Sequence, residues 1–282
     1  MDVWIYQLKF KGTGIVNKTI EFTDLKPLLD ELNGMITSGN RYVYRGYNIE
    51  EELYPSVIRG TDFSDYEEEL LVRYERYALA YGNVTNQTDF MLSAQHYGLP
   101  TRLLDFTYNP FVALFFATFK LKIVSDNDDS NYYSLRYADM NNCICATLLH
   151  HVPTLAQLDG TAACTFAIRA YQGFKQLENL MKGQQDKKLI LLDPNQTDSR
   201  ILMQQGLFML PYTLDKGEHL KIVKNNTTLI KIHKDLRNGI RAYLDKLGYN
   251  TYRLMPDLAS VCFAVKNDVE QTIQMRSVKV NG

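Results

Sequence analysis

The chain has 282 residues, of which 45% are hydrophobic and 22% are charged, a globular composition that excludes disordered, collagen-like and coiled-coil proteins. Its 31 basic and 32 acidic residues give a net charge of −1, so no global positive field attracts nucleic acid. The longest apolar run, Pro110 to Phe119, is too short to span a bilayer, and the N-terminus lacks the pattern of a signal peptide. We therefore expect a cytoplasmic protein without a membrane anchor.

The first half of the chain is predicted to be mainly helical. Val3 to Phe10 and residues 41–46 have the β-branched and aromatic content of strands. Apolar residues at helical spacing predict four helices, over 23–33, 66–81, 88–96 and 110–120. Gly34 is expected to end the first of them. The fourth has almost no polar face, so we expect it to be the buried central element.

The second half of the chain is predicted to consist mainly of strands. The loop 125–130 precedes four apolar strand segments, at 143–149, 189–192, 207–210 and 228–232. Two helices are predicted after them, over 234–247 and 258–265. These elements predict one α+β domain over residues 1–282, with a helical middle region packed on a mainly C-terminal set of β-strands.

Cysteine and histidine spacing raises the question of a metal site. Cys143 and Cys145, followed by His150 and His151, carry zinc-ligand side chains, but a second cysteine pair is missing. Alternation along a buried strand is the simpler interpretation of the two cysteines. No Asp, Glu and His spacing suits a two-metal nuclease either, so we expect no metal.

A dense polar cluster lies between Gln95 and Pro110, where a helix break precedes the apolar helix. His96, Arg102 and Asp105 fall within ten residues, and Thr107 or Asn109 is expected to cap the helix. In one interpretation Arg102 and Asp105 form a structural ion pair. In the other, His96 is an acid, a base or a substrate donor, oriented by Asp105.

Several motifs together resemble the FRG domain family. They are Tyr44-Arg45-Gly46, the run from Gln95 to Asp105, Asn109-Pro110 with its apolar helix, Arg200-Ile201 with Gln204 to Phe208, and Pro256-Asp257-Leu258. These motifs span about residues 20–265. Tyr44 in place of Phe and Phe106 in place of Trp are mild departures from the family pattern.

The resemblance implies a bacterial or phage-borne protein with a role in antiviral defence. Arg45 at a strand end is also similar to the first motif of arginine-type ADP-ribosyltransferases, in which the arginine holds the NAD diphosphate. Gly46 would then let the backbone approach the phosphates. A catalytic carboxylate would have to come from Glu69 or Asp105, because the usual Glu-x-Glu motif is missing. Whether the protein is an enzyme stays open at this point.

A non-enzymatic sensor or adaptor that binds a nucleotide or nucleic acid is the alternative. Tyr97 and Tyr108 could stack on bases, and Lys216 to Lys234 is the nearest basic run. A third, purely structural interpretation makes Arg45 a buried cation paired with Asp105 or with an early glutamate. The run 67–69 is expected to be a solvated helix start.

The enzyme and sensor interpretations use the same residues. The predicted catalytic set is His96, Arg45, Glu69 and Asp105, and the predicted ligand-binding set is Arg59, Tyr97, Thr101, Arg102, Gln204 and Gln205. The expected partners are an NAD-like or nucleotide ligand, a protein or nucleic-acid acceptor, and a neutralising or defence-system protein.

Overall fold

The computed structural model describes residues 18–78, 87–119, 131–147, 188–194, 199–258, 261–262, 264–266 and 269. The predicted strand at Val3 to Phe10, the predicted loop at 125–130, and His150 and His151 lie outside the described residues.

The strands of the described residues form one eight-stranded sheet. They are β1 (Thr19–Phe22), β2 (Tyr42–Tyr47), β3 (Leu104–Thr107), β4 (Tyr132–Asp139), β5 (Ile144–Thr147), β6 (Ile190–Asp193), β7 (Gly206–Met209) and β8 (Thr228–His233). The order across the sheet is β1-β8-β4-β2-β3-β7-β6-β5. The two outer pairs, β1 with β8 and β5 with β6, are parallel, and the inner pairs are antiparallel.

The helices of the described residues confirm those predicted in the first half of the chain. They are α1 (Leu25–Thr37), α2 (Glu67–Ala78), α3 (Gln87–His96), α4 (Pro110–Ala117), α5 (Ser199–Gln204), α6 (Lys216–Asn226), α7 (Arg237–Lys246) and α8 (Thr251–Leu254). The prediction that Gly34 ends the first helix is wrong, because α1 continues to Thr37. In the part of the chain that the structure describes, no helix combines the length and the apolar character needed to cross a membrane.

The sheet is mainly antiparallel, which confirms the α+β fold class, and helices cover both of its faces. On one face, named here the α4 face, α1, α4 and α7 enclose a core that includes Leu28, Leu114, Leu135, Ile230 and Ile240. On the other, named the α6 face, α3 and α6 enclose a core that includes Met91, Leu104, Phe208, Ile222 and Val223.

Strand β2 divides the Arg-Gly motif between these two faces. Val43 and Tyr47 belong to the α6-face core and Tyr44 to the α4-face core. Successive side chains of a strand point to opposite faces, so Arg45 projects toward α6 and Gly46 faces α4. A Cβ atom at Gly46 would lie 1.8 Å from the Ala113 carbonyl oxygen and 2.6 Å from the Ala117 nitrogen. The hypothesis that Gly46 makes room for phosphates is therefore wrong, because the backbone of α4 occupies that space.

The start of α4 is fixed by Asn109, one of the two predicted caps. Its Oδ1 accepts hydrogen bonds from the backbone nitrogens of Phe111 at 2.9 Å and Val112 at 3.4 Å. Pro110 follows as the first helical residue, where its missing N–H has no cost. This helix is buried along nearly its whole length, as predicted.

Strand β3 replaces part of the turn that was predicted between α3 and α4. Leu104 and Phe106 are buried and Asp105 is exposed, which is the alternation of a half-buried strand. β3 pairs with β2 and β7, so it lies near the centre of the sheet. This strand places the Asp105 backbone beside the end of β2.

Candidate functional site

Arg45 is the centre of a polar network at the end of β2. Its side chain is 11% exposed. Nη1 donates to the Asp105 carbonyl and Nη2 to the Glu52 carbonyl, each at 2.6 Å. Burial lowers the pKa of the Arg45 guanidinium and the nearby Asp105 carboxylate opposes this effect, but a guanidinium stays protonated in proteins. Arg45 thereby ties β2 to β3 and to the 3₁₀ turn Glu50–Leu53.

The Asp105 carboxylate is the exposed part of this network, with 66% of its side chain accessible. Its Oδ2 lies 3.9 Å from Arg45 Nη1, and its Oδ1 accepts from Gln95 Nε2 at 2.8 Å. Gln95 Oε1 accepts in turn from Thr101 Oγ1 at 2.6 Å. The Thr101 hydroxyl therefore turns the amide nitrogen of Gln95 toward Asp105. The structure brings together Arg45, Asp105 and Thr101 of the predicted site residues, and adds Gln95.

Arg59 joins the network through the same carbonyl oxygen as Arg45. Its Nη2 lies 2.6 Å from the Tyr54 carbonyl oxygen and 3.2 Å from that of Glu52. A carbonyl oxygen carries no formal charge, so it does not neutralise the two guanidiniums that share it. The charge of Arg59 also contributes to lowering the pKa of Arg45. One of these fixed cations, Arg45, lies beside the Asp105 carboxylate, and Arg59 lies beside Arg45.

Two buried basic side chains near Arg45 were not found from the sequence. His219 on α6 lies 2.9 Å, through Nε2, from the Leu53 carbonyl oxygen, so Nε2 carries the proton. Burial lowers the pKa of His219 and the charge of Arg45 adds to this, which favours the neutral ring. Arg136 stands opposite Arg45 in the β2–β4 register and donates to the Tyr47 hydroxyl at 3.0 Å. No local sequence signal marks either residue, because their partners come from distant elements.

Arg102 forms a structural ion pair, but not with Asp105 as one interpretation had it. Its partner is Glu67 at the start of α2, whose side chain is fully buried. Arg102 Nε lies 2.9 Å from both Glu67 carboxylate oxygens, and Nη2 donates to Oε2. The expectation of a solvated glutamate run is therefore wrong for Glu67. Arg102 holds α2 against the loop before β3, below the surface.

Glu69 and His96 occupy different positions with respect to the network. The Glu69 carboxylate pairs with Arg73 one helical turn later on the exposed surface of α2, not with Arg45 or Asp105. His96 ends α3 directly after Gln95, and its ring lies edge-on to that of Tyr97 at 4.9 Å. Tyr97 is 78% exposed. The exposed Tyr97 ring therefore packs against His96, and His96 directly follows Gln95, which contacts Asp105.

Gln204 and Gln205 connect α5 to the start of α4. Gln204 donates through Nε2 to the Leu254 carbonyl at 2.7 Å, and its own carbonyl accepts from Thr107 Oγ1 at 2.7 Å. The Gln205 carbonyl accepts from the Tyr108 backbone nitrogen at 3.0 Å. Gln204 thereby satisfies backbone groups, and these contacts brace the turn before α4.

Replacing Gln205 with glycine is expected to stabilise the protein. Gln205 has a φ of 47°, in the left-handed region, where a side chain costs about 1–2 kcal/mol. Glycine removes that cost but adds about 0.5–1 kcal/mol of chain entropy, so a net gain of about 0.5–1 kcal/mol should appear in urea unfolding. Gln205→Ala is the control and should not gain stability. If Gln205→Gly were more stable than the wild type but no longer bound the ligand, the exposed Gln205 side chain would be assigned to ligand binding.

The lysines of the basic run do not form one uncompensated stripe. Lys224 on α6 pairs with Glu50 at 2.5 Å, and Lys231 on β8 lies 4.0 Å from Glu21. Lys216 lies over the Tyr54 ring, 5.9 Å from its centroid. The run thus contributes to two separate elements, which weakens the case for a nucleic-acid groove along it.

The predicted strand that contains the two cysteines corresponds to β5, which includes Cys145 and directly follows Cys143. Cys143 is buried directly before β5, and its thiol donates to the Asp139 carbonyl at 3.4 Å. In the described ranges no group of three or more His, Cys, Asp or Glu side chains could hold a metal ion.

Comparison with known protein families gives a match to one segment in the first half of the chain. Residues 40–125 match the family model of the FRG domain. No curated protein and no solved structure gives a significant match. The matched segment runs from the start of β2 past α4 and includes Arg45, Gly46, Arg102 and Asp105. The chain therefore contains an FRG domain, as its motifs indicate.

Proposed function

We propose that the protein is an FRG-domain effector of bacterial or phage-borne antiviral defence that acts on NAD or a related nucleotide. ADP-ribosyl transfer is the concrete form of this proposal. The observation that carries it is the exposed Asp105 carboxylate, which Gln95 orients at 2.8 Å and which lies 3.9 Å from the fixed cation Arg45, itself joined to Arg59 through the Glu52 carbonyl. A carboxylate next to positive charge suits a substrate in which a ribose adjoins a diphosphate.

Each residue of the network has a distinct role in this proposal. As the bond between nicotinamide and ribose C1′ breaks, nicotinamide leaves with the bonding electrons, and the Asp105 carboxylate stabilises the oxocarbenium-like ribose. The acceptor then forms a bond to C1′ and releases its proton to His96 or to solvent. Arg59 faces the diphosphate, whereas Arg45 positions Asp105, because both of its terminal nitrogens already bind backbone carbonyls.

Removal of the Asp105 charge tests this proposal directly. Purified protein would be incubated with labelled NAD and a bacterial lysate, and label would be followed in the protein and nucleic-acid fractions. Asp105→Asn keeps the side-chain shape but removes the charge, so we expect transfer to fall by about 10²–10³-fold. Glu68→Gln, at an exposed position of α2 outside the network, is the matched control and should transfer at the wild-type rate. Wild-type activity in Asp105→Asn, or no use of NAD by any form, would contradict the enzymatic proposal.

A nucleotide-binding sensor without turnover is the second candidate. The exposed Tyr97 ring favours it, because a base can stack on a free aromatic face with about 1–3 kcal/mol of binding energy. In the same experiment, absent transfer together with saturable ADP-ribose binding that Tyr97→Ala weakens would support the sensor. Such a sensor would still need a defence-system partner to act.

A further inference from the structure

A pocket of about 650 Å³ lies on the α4 face, opposite the face toward which Arg45 projects. It is bounded by α1 and by strands β1, β2 and β4. Its lining includes Phe22, Asp30, Glu31, Met35, Tyr42 and Tyr137. It is an open groove rather than an enclosed cavity, so a ligand there would keep part of its surface in solvent.

One wall of the pocket is aromatic. The rings of Tyr42 and Tyr137 meet edge to face, with centroids 5.5 Å apart and an interplanar angle of 87°. Both side chains are half-buried, so their positions are fixed by packing. The faces of aromatic rings carry partial negative charge and attract ammonium and guanidinium groups.

The charged residues of the pocket are acidic. Burial raises the pKa of the Tyr137 phenol and the Glu31 carboxylate adds to the rise, so the Glu31 charge acts on the aromatic wall. Among the described residues, neither Asp30 nor Glu31 forms an ion pair, and the lining contains no Lys or Arg. Asp30 is exposed, whereas Glu31 is half-buried, and a half-buried carboxylate without a counter-ion is less favourable than a paired one. A cationic ligand would supply the missing charge.

Gly34 opens the pocket from the side of α1. It lies inside the helix, where glycine costs about 1 kcal/mol relative to alanine. A Cβ atom at Gly34 would meet nothing within 4 Å, so packing does not require glycine there. Because Gly34 lines the pocket, its missing side chain enlarges the space in front of the aromatic wall.

We propose that this pocket binds an organic cation, with an ammonium or guanidinium group against Glu31 and over the rings of Tyr42 and Tyr137. The ligand chemistry follows from the half-buried Glu31 carboxylate and the aromatic wall, with no Lys or Arg among the described residues of the lining. The cation is either a small free amine or the basic side chain of a peptide.

The test is calorimetric titration of the full chain with agmatine, which carries a guanidinium and an ammonium group. We expect saturable binding that weakens as salt is added. Glu31→Gln should weaken binding about tenfold, the equivalent of 1.4 kcal/mol. Gly34→Leu should abolish binding by filling the pocket, and leucine is a good helix former, so the fold should persist. Glu21→Gln, which alters a carboxylate that faces Lys231 outside the pocket, should bind as the wild type does.

A blocked Gly-Arg-Gly peptide distinguishes the two sources of the cation. Tighter binding of agmatine supports a free amine, and tighter binding of the peptide supports a protein side chain. Absence of saturable binding by both probes would overturn the proposal. Wild-type affinity in both Glu31→Gln and Gly34→Leu would also overturn it, provided that both variants unfold cooperatively.

Discussion

Replacing Gly46 with alanine is expected to destabilise the protein strongly. The added Cβ would lie 1.8 Å from the Ala113 carbonyl oxygen and 2.6 Å from the Ala117 nitrogen. Both are backbone atoms of a buried helix, so no side-chain rotation relieves the clash. Overpacking against mobile side chains costs about 1–3 kcal/mol, and we expect more than about 3 kcal/mol here. This is a large part of a typical stability of about 5–15 kcal/mol. The soluble yield and the midpoint of urea unfolding measure the effect.

Gly34→Ala is the matched control for the Gly46 substitution. It adds the same methyl group to another glycine, but in open space inside α1. Helix propensity favours alanine there, so a gain of about 0.5–1 kcal/mol is expected. If Gly46→Ala were as stable as the wild type, the close approach of β2 and α4 would be refuted.

Breaking the Arg102–Glu67 pair is expected to have the second-largest effect. Arg102→Met leaves the fully buried Glu67 carboxylate without its partner, at a cost of about 3–5 kcal/mol in the free energy of unfolding. The double variant Glu67→Met, Arg102→Met removes both charges and keeps similar volume. Because paired buried charges can be exchanged for apolar residues at little cost, the double variant should be more stable than Arg102→Met. Urea unfolding of the wild type, both single variants and the double variant measures the coupling.

The exposed Glu69–Arg73 pair on α2 is the control for this cycle. Glu69→Gln should leave the unfolding midpoint within error of the wild type, because surface ion pairs contribute little. A double variant less stable than Arg102→Met would show that the buried pair is a net stabilising contact rather than a replaceable one.

Local patterns predicted some of the long elements of this fold but not all of them. The helix α6 (Lys216–Asn226) and the strand β4 (Tyr132–Asp139) were not predicted. The apolar spacing in α1 and α2 and the nearly unbroken apolar run of α4 each specify a helix without reference to the rest of the chain. Strand β3 was not predicted because a strand of four residues is too short for its apolar–polar alternation to stand out. It lies between the helix break at Gly98 and Pro100 and the Asn109 cap of α4. The alternation of Leu104, Asp105 and Phe106 was nevertheless the signal that could have indicated it.

The candidate site was only partly predictable because its contacts are long-range. The polar run placed Asp105 and Thr101 in one cluster, and the structure joins them through Gln95. Glu67 and Glu69 look alike in the sequence, and only the distant Arg102 decides which of them is buried. The same holds for His219, which reaches Leu53 from a helix much later in the chain.

The strand order of the sheet is evidence against treating the FRG segment, residues 40–125, as an independently folding unit. Its strands β2 and β3 meet at a single residue pair, Tyr44 with Thr107. Strand β2 forms six residue pairs with β4, and β3 forms four residue pairs with β7. Both β4 and β7 lie beyond residue 125, where the family match ends. Excised alone, residues 40–125 would expose both strands as unpaired edges, which invite aggregation. A chimaera that transfers this segment must therefore carry β4 and β7, or accept equivalent strands from its new host.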